Sequence, residues 1–380
     1  ADQGASSVAI GVAAGSNSQA DNSVAVGINA GLNAQGTSST AVGNSAGKVS
    51  QAANSTAIGR SAGSNAQGTQ SVAVGYLAGC ADQGASAVAI GESAGQVSQG
   101  THTTAIGVLA GSNAQGTSSV AIGREAAAAS QAANSVAIGY IAGSNAQGTQ
   151  SVAVGYLAGC ADQGASAVAI GESAGQVSQG THTTAIGVLA GSNAQGTSSV
   201  AIGREAAAAS QAANSVAIGY IAGSNAQGTE SVAVGYIAGR AAQGDRAVAV
   251  GMQAGSNAQG DQTVAVGYLA GCADQGANSV AIGLGAGRAS QGDNSVAVGR
   301  EAAKTSQAAN SVAVGNLAGS NAQGTNSVAV GNSAGRASQA ANSVAVGRDA
   351  GSNAQGEQSV AVGYLAGKAD QGASSVAIGV

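Results

Sequence analysis

Proline, tryptophan and phenylalanine are absent from this 380-residue chain, and methionine occurs once. Globular cores draw on Leu, Phe, Ile and Met, so a chain this poor in large apolar side chains cannot fill a thick core. Charge is scarce as well. Charged residues make up 8% of the chain, against about 25% in an ordinary soluble domain. The 12 Lys and Arg are outnumbered by 17 Asp and Glu, which excludes a basic footprint for nucleic acid. Two histidines leave little for acid–base or metal chemistry. No uninterrupted apolar run approaches the ~20 residues of a membrane-spanning helix. The lack of proline rules out collagen even with 63 glycines, which do not recur every third residue. Without a period, such a Gly- and Ser-rich composition would mean disorder.

There is a period, and it is 16 residues. From Ser7 the chain reads SVAIGVAAGSNSQADN, SVAVGINAGLNAQGTS, STAVGNSAGKVSQAAN, and continues to Ser375 through 24 starts with no insertion or deletion. Numbering each repeat from its first Ser, position 3 is always Ala, 5 always Gly, 8 always Ala and 13 always Gln. Position 4 is always Ile or Val, and position 2 is Val except at Thr40, Thr56, Thr104 and Thr184. Position 9 is Gly except at Ala127, Ala207 and Ala303. All charged residues fall at positions 6, 7, 10, 12, 15 and 16. Charged groups avoid burial, so these are the outward positions. The silent positions are expected to face a core, another chain or a tight turn.

Sixteen residues are too few for a strand and a helix in every repeat. Positions 1 to 4 alternate small and β-branched residues, which predicts a short strand. Gly at position 5 ends it, and positions 6 to 8 are read as a second extended segment. The expected fold is all-β: a parallel β-solenoid, or β-roll, of 16-residue coils forming one domain over residues 1–380. One face of the first strand would line the roll. Its other face, Ser and Ala at positions 1 and 3, is small and never charged, and is expected to pack against another chain. In-register stacking places Gln19, Gln35, Gln51, Gln67, Gln83 and their equivalents in one column, where amides can bond up and down as in cross-β ladders.

Chemistry finds few footholds. Cys80, Cys160 and Cys272 all occupy position 10. Coils rising about 4.8 Å would hold them roughly 24 and 34 Å apart, which excludes bridges within the chain. His102 and His182 are duplicates with no second ligand type beside them, and zinc needs three or four close ligands. No Ser/His/Asp set or carboxylate pair can be assembled in a cleft. No catalytic residue, metal or cofactor is expected. All seven tyrosines, Tyr76, Tyr140, Tyr156, Tyr220, Tyr236, Tyr268 and Tyr364, stand at position 6. Exposed aromatics on a polar surface suit contact, so these are the candidate contact residues; the plainer reading is rings lying flat on Ala and Gly of the next coil.

The runs Ser7-Val8-Ala9-Ile10-Gly11, Ser135-Val136-Ala137-Ile138-Gly139 and Ser279-Val280-Ala281-Ile282-Gly283 resemble the YadA-like head repeat of trimeric autotransporter adhesins. Similar repeats occur in fibre proteins of phages and giant viruses. The resemblance covers the whole chain. It implies a left-handed parallel β-roll, three chains packed side by side, a cell or virion surface location, and adhesion to cells, matrix or glycans. A non-enzymatic structural or adhesive fibre is therefore expected, as a homo-oligomer or filament. The alternative is a ligand-binding solenoid, such as an ice-binding or glycan-binding protein. Residues 71–149 repeat identically as 151–229, and ADQGASSVAIGV both opens and closes the sequence, so the chain is expected to be a stretch of something longer.

Overall fold

The computed structural model describes residues 3–379, which form short strands and turns and no helix. Contacts group the chain into two compact units, Ala1–Asn193 and Ala194–Val380. Each unit is built from the same 16-residue turn.

In the first unit, positions 2 to 4 of each coil form a three-residue strand, beginning with Val8–Ile10, Val24–Val26 and Thr40–Val42. Neighbouring strands pair in parallel with a register of one repeat, as in Val24↔Thr40, Ala25↔Ala41 and Val26↔Val42. The second unit repeats the pattern, for example Val248↔Val264, Ala249↔Ala265 and Val250↔Val266. A parallel β-solenoid is thus what the chain forms, as its periodicity predicts.

The second strand is not where the sequence suggested. Positions 6 to 8 form a turn, and the second strand lies at positions 11 to 13, as in Asn17–Gln19 and Asn257–Gln259. The reason lies in the backbone. Position 7 has a left-handed φ of 53–62°, and of 54–58° even where it is Leu157, Ile141 or Ile237. Bulky and β-branched residues rarely accept that conformation. Here the hydrogen-bond net imposes it, since Ile141 donates its N–H to the Arg124 carbonyl of the preceding coil at 3.0 Å.

That net runs around the whole perimeter of a coil. Positions 2, 9, 11 and 14 donate to the coil that follows, as in Val24→Ser39, Gly31→Ala46, Asn33→Lys48 and Gly36→Gln51. Positions 5, 7 and 16 donate back, as in Gly43→Val26, Ser45→Ile28 and Asn54→Thr37. Turns are therefore hydrogen-bonded to their neighbours as thoroughly as strands are.

The interior reverses the expected sidedness. Ala at positions 3 and 8, exemplified by Ala25, Ala30, Ala137 and Ala142, is 0% exposed, and Ser at position 1 is equally buried. Val and Ile at positions 2 and 4 point outward instead. The two walls of so small a coil approach too closely for branched side chains, and methyl groups fill the space. Each Ser at position 1 closes its corner by donating Oγ–H to a carbonyl three residues back, as Ser135 does to Ala132.

Glutamine is the largest side chain of this core. Gln19, Gln35, Gln51, Gln67 and Gln83 are 1–3% exposed. Each Nε2 donates across its own coil to the position-2 carbonyl, as Gln35 does to Val24 at 2.8 Å. These five thus brace the two walls of a coil, where the ladder reading had them bonding up the column. The Oε1 atoms rest against Gly at position 9, where a Cβ on Gly31 would lie 2.6 Å from Gln35 Oε1. Many of these oxygens accept no conventional hydrogen bond.

Where Ala replaces that Gly, the amide keeps its bond across the coil, as Gln131 does to Val120 at 2.9 Å, and also reaches the next coil; Gln99 and Gln259, in coils that keep Gly, make the same upward bond at 3.3 Å. Gln131, Gln211 and Gln307, in the coils of Ala127, Ala207 and Ala303, bond to Gln147, Gln227 and Gln323 at 3.0–3.1 Å. In the same coils the second strand is interrupted, and Ser130, Ser210 and Ser306 lack the positive φ of position 12. Single bridges such as Gln115↔Gln131 and Gln131↔Gln147 carry the column through. Ser290 marks a further interruption although Gly287 is retained there, and nothing in the structure explains it.

Candidate functional surface

Two outward stripes run beside each other. The first is the outer face of the first strand. Val at position 2 is half-buried, and Ile at position 4 is 37–41% exposed at Ile58, Ile90, Ile138 and Ile218. Not one of these positions carries a charge in any repeat. Charge avoidance could not distinguish the interior from this face, because both exclude it for the same reason. The stripe is a continuous apolar sheet surface within each unit.

The second stripe is position 6, just past Gly at position 5. It mixes Arg, Glu, Asn, Tyr and aliphatic residues. Tyr76, Tyr156, Tyr236, Tyr268 and Tyr364 are 43–50% exposed and Tyr140 is 38% exposed, while Tyr220 is half-buried. Six of the seven, all but Tyr268, have a ring face against an Arg or Tyr of the column, where flat packing on Ala and Gly had been the plainer reading. Tyr140 stacks on Tyr156 with centroids 5.4 Å apart and planes 7° from parallel. Tyr220 and Tyr236 stack at 5.2 Å and 10°. Arg60, Arg124, Arg204 and Arg348 lie 4.5–5.6 Å over the rings of Tyr76, Tyr140, Tyr220 and Tyr364. Arg348 also donates to the Tyr364 hydroxyl at 2.7 Å. The sequence carried a signal for this: each of these arginines stands 16 residues before a tyrosine. What the column offers to a partner is ring edges and hydroxyls.

The remaining polar candidates are local fittings. Arg124–Glu125, Arg204–Glu205 and Arg348–Asp349 are exposed ion pairs of 3.1–3.5 Å, a class worth little in water. The three cysteines are free, and each sulfur lies 3.2–3.5 Å from a Ser hydroxyl one coil back, namely Ser64, Ser144 and Ser256. His102 and His182 sit exposed in left-handed turn positions. Among the described residues, no three His, Cys, Asp or Glu come together as a metal site. No helix is long and apolar enough to cross a membrane.

The acidic residues of position 15 have a structural task. Asp21, Asp245, Asp261 and Asp293 each accept, through Oδ1, the backbone N–H of the same position one coil earlier, at 2.7–3.0 Å. The bond from Thr229 holds the Asp245 carboxyl below its ordinary value, with Arg246 adding to the effect. A depressed folded-state pKa gives stability that is present above the unfolded pKa and lost as pH falls through the folded one. Asp245→Ala should therefore lower the melting temperature slightly at neutral pH. The difference from the parent should vanish below the ordinary carboxylate range, as followed by circular dichroism.

A family model for the YadA head domain repeat matches residues 50–78, 98–140, 142–158, 178–220, 242–270, 290–318 and 338–366, in part through overlapping matches. These segments make up more than half of the chain. The chain belongs to the YadA head repeat family. Membership agrees with the parallel solenoid. YadA head repeats are adhesin-like structural elements, and the family is non-enzymatic. A search of curated proteins returned no match.

Proposed function

We propose that this chain is an adhesive segment of a surface fibre, in which copies associate through the Val/Ile face and position 6 makes repeated contacts outside. The observation that carries this reading is the pairing of the two stripes. One is apolar and never charged, as buried contact surfaces are. The other, one residue past Gly, accepts Arg and Glu freely and so belongs to solvent. The association is a homotrimer at a cell surface, in keeping with the family.

Sedimentation of the purified chain tests the association. The parent should sediment as three chains. Lys placed together at Val154, Val250 and Val314, all on the outer face, should give single chains with an unchanged circular dichroism spectrum. A parent that sediments as one chain would refute the trimer.

Contact through position 6 is multivalent, so effective concentration carries it. Tyr156→Ala should leave adhesion to cells or to immobilised matrix within about twofold of the parent, while replacing all seven tyrosines should reduce it by about a hundredfold. Loss of adhesion from the single substitution would mean a discrete site and would overturn the reading.

A further inference from the structure

The tyrosine column contains two kinds of tyrosine. Tyr76, Tyr268 and Tyr364 have no tyrosine in an adjacent coil. Tyr140–Tyr156 and Tyr220–Tyr236 are neighbours, stacked within 10° of parallel. Because the coils are in register, the two side chains of each pair leave equivalent backbone positions, and their rings run nearly parallel with centroids 5.2–5.4 Å apart. The rings lie on the exposed stripe, so an oxidant reaches them and they have room to move. The far face of Tyr140 is closed by Arg124 and that of Tyr220 by Arg204, which leaves each of these rings one aromatic partner.

We propose that Tyr140–Tyr156 and Tyr220–Tyr236 are oxidative cross-linking sites, joined as dityrosine by a peroxidase-type catalyst using hydrogen peroxide. Each phenol gives up one electron and one proton and becomes a phenoxyl radical. The unpaired electron is shared onto the ring carbons ortho to oxygen. Two such carbons, one from each ring, pair their electrons in a new C–C bond. Each then returns its hydrogen to its own phenol oxygen as the ring regains aromaticity. The pair has lost two electrons and two protons, and one peroxide molecule takes up both to become two waters. The product ties a coil to the next by a bond that neither acid nor reductant opens.

The chain carries its own controls. Cleavage after Lys and Arg gives peptide 125–204 with Tyr140 and Tyr156, and peptide 205–240 with Tyr220 and Tyr236. The lone tyrosines fall in 61–124, 247–288 and 349–368. Met252, 47% exposed in the same column, reports that oxidant arrived, through sulfoxide formation in 247–288.

The test treats the folded full chain with horseradish peroxidase and hydrogen peroxide, then digests it after denaturation and weighs the peptides. The expected result is loss of one hydrogen molecule's mass from 125–204 and from 205–240, with blue dityrosine fluorescence whose yield per chain is unchanged on tenfold dilution. Tyr156→Phe keeps the ring stack and should halve the fluorescence, removing the mass loss from 125–204 alone. Tyr156→Phe with Tyr236→Phe should abolish both. The proposal is overturned if Met252 is oxidised while both peptides keep their mass. It is equally overturned if lone tyrosines couple between chains as readily as the pairs do within one.

Discussion

Removing residues 135–150, one whole repeat, should leave a folded protein whose melting temperature is close to the parent's. Removing only residues 135–142 should not. In the first variant Val120 meets Val152 as it met Val136, and each column stays in register. Positions 2, 9, 11 and 14 still find acceptors ahead, and 5, 7 and 16 find them behind. In the second variant eight residues must encircle an interior that needs sixteen. They cannot reach, so stacking stops at that point. Each net backbone bond lost there costs roughly 1 kcal/mol, and buried Ala and Gln columns are opened as well. Limited proteolysis reads the outcome, with a new cleavage site at the junction of the half-coil variant and none in the whole-repeat variant. Equal protection of both would mean that 16 residues do not make a coil.

Gly139→Val should be the most damaging single change of those discussed here. Gly139 has φ of +134°, a conformation open to glycine and strongly disfavoured for a β-branched residue. A Cβ there would also run into the carbonyl oxygen of Gly155, the glycine of the next coil. Backbone strain of this kind costs about 3 kcal/mol, and the displaced carbonyl adds to it. For a unit of this size that is a fall of roughly 6–12 °C in melting temperature. Ile138→Val, one residue earlier, is the control. It faces outward, position 4 holds Val in many other coils, and the melt should move by less than about 2 °C. A Gly139→Val melt no lower than that of the control would refute the role given to this glycine.

How much was legible in the sequence follows from which positions vary. The 16-residue coil, its parallel register and the outward direction of charge were all readable from Ser7 onward. Gly139 was legible as a special backbone position because its column never varies. Sidedness was not legible, because Ala137 and Ile138 both avoid charge, one by lying inside and the other by lying on an apolar outer face. Coil width decides between them, and width depends on how near the two walls come. The turn at positions 6 to 8 was hidden for a related reason. Leu157 and Ile141 have strand-like side chains, yet the hydrogen bonds of the coils on either side hold them in a left-handed conformation that local preference would reject. The tyrosine column was located by sequence, and the arginines 16 residues before four of its rings were a signal for stacking, but the ring geometry itself needed the structure.

The hydrogen bonds that encircle every coil also govern how the molecule would yield to force. A coil inside a unit is held on two sides, and a coil at a free end on one. Tension applied to the chain therefore strips coils one after another, from an end inward. Each release frees 16 residues, or roughly 55 Å of extended chain, and leaves behind an end much like the one just lost. A protein built this way gives ground in near-equal small instalments, absorbing work at each, where a globular domain would surrender its whole length at once.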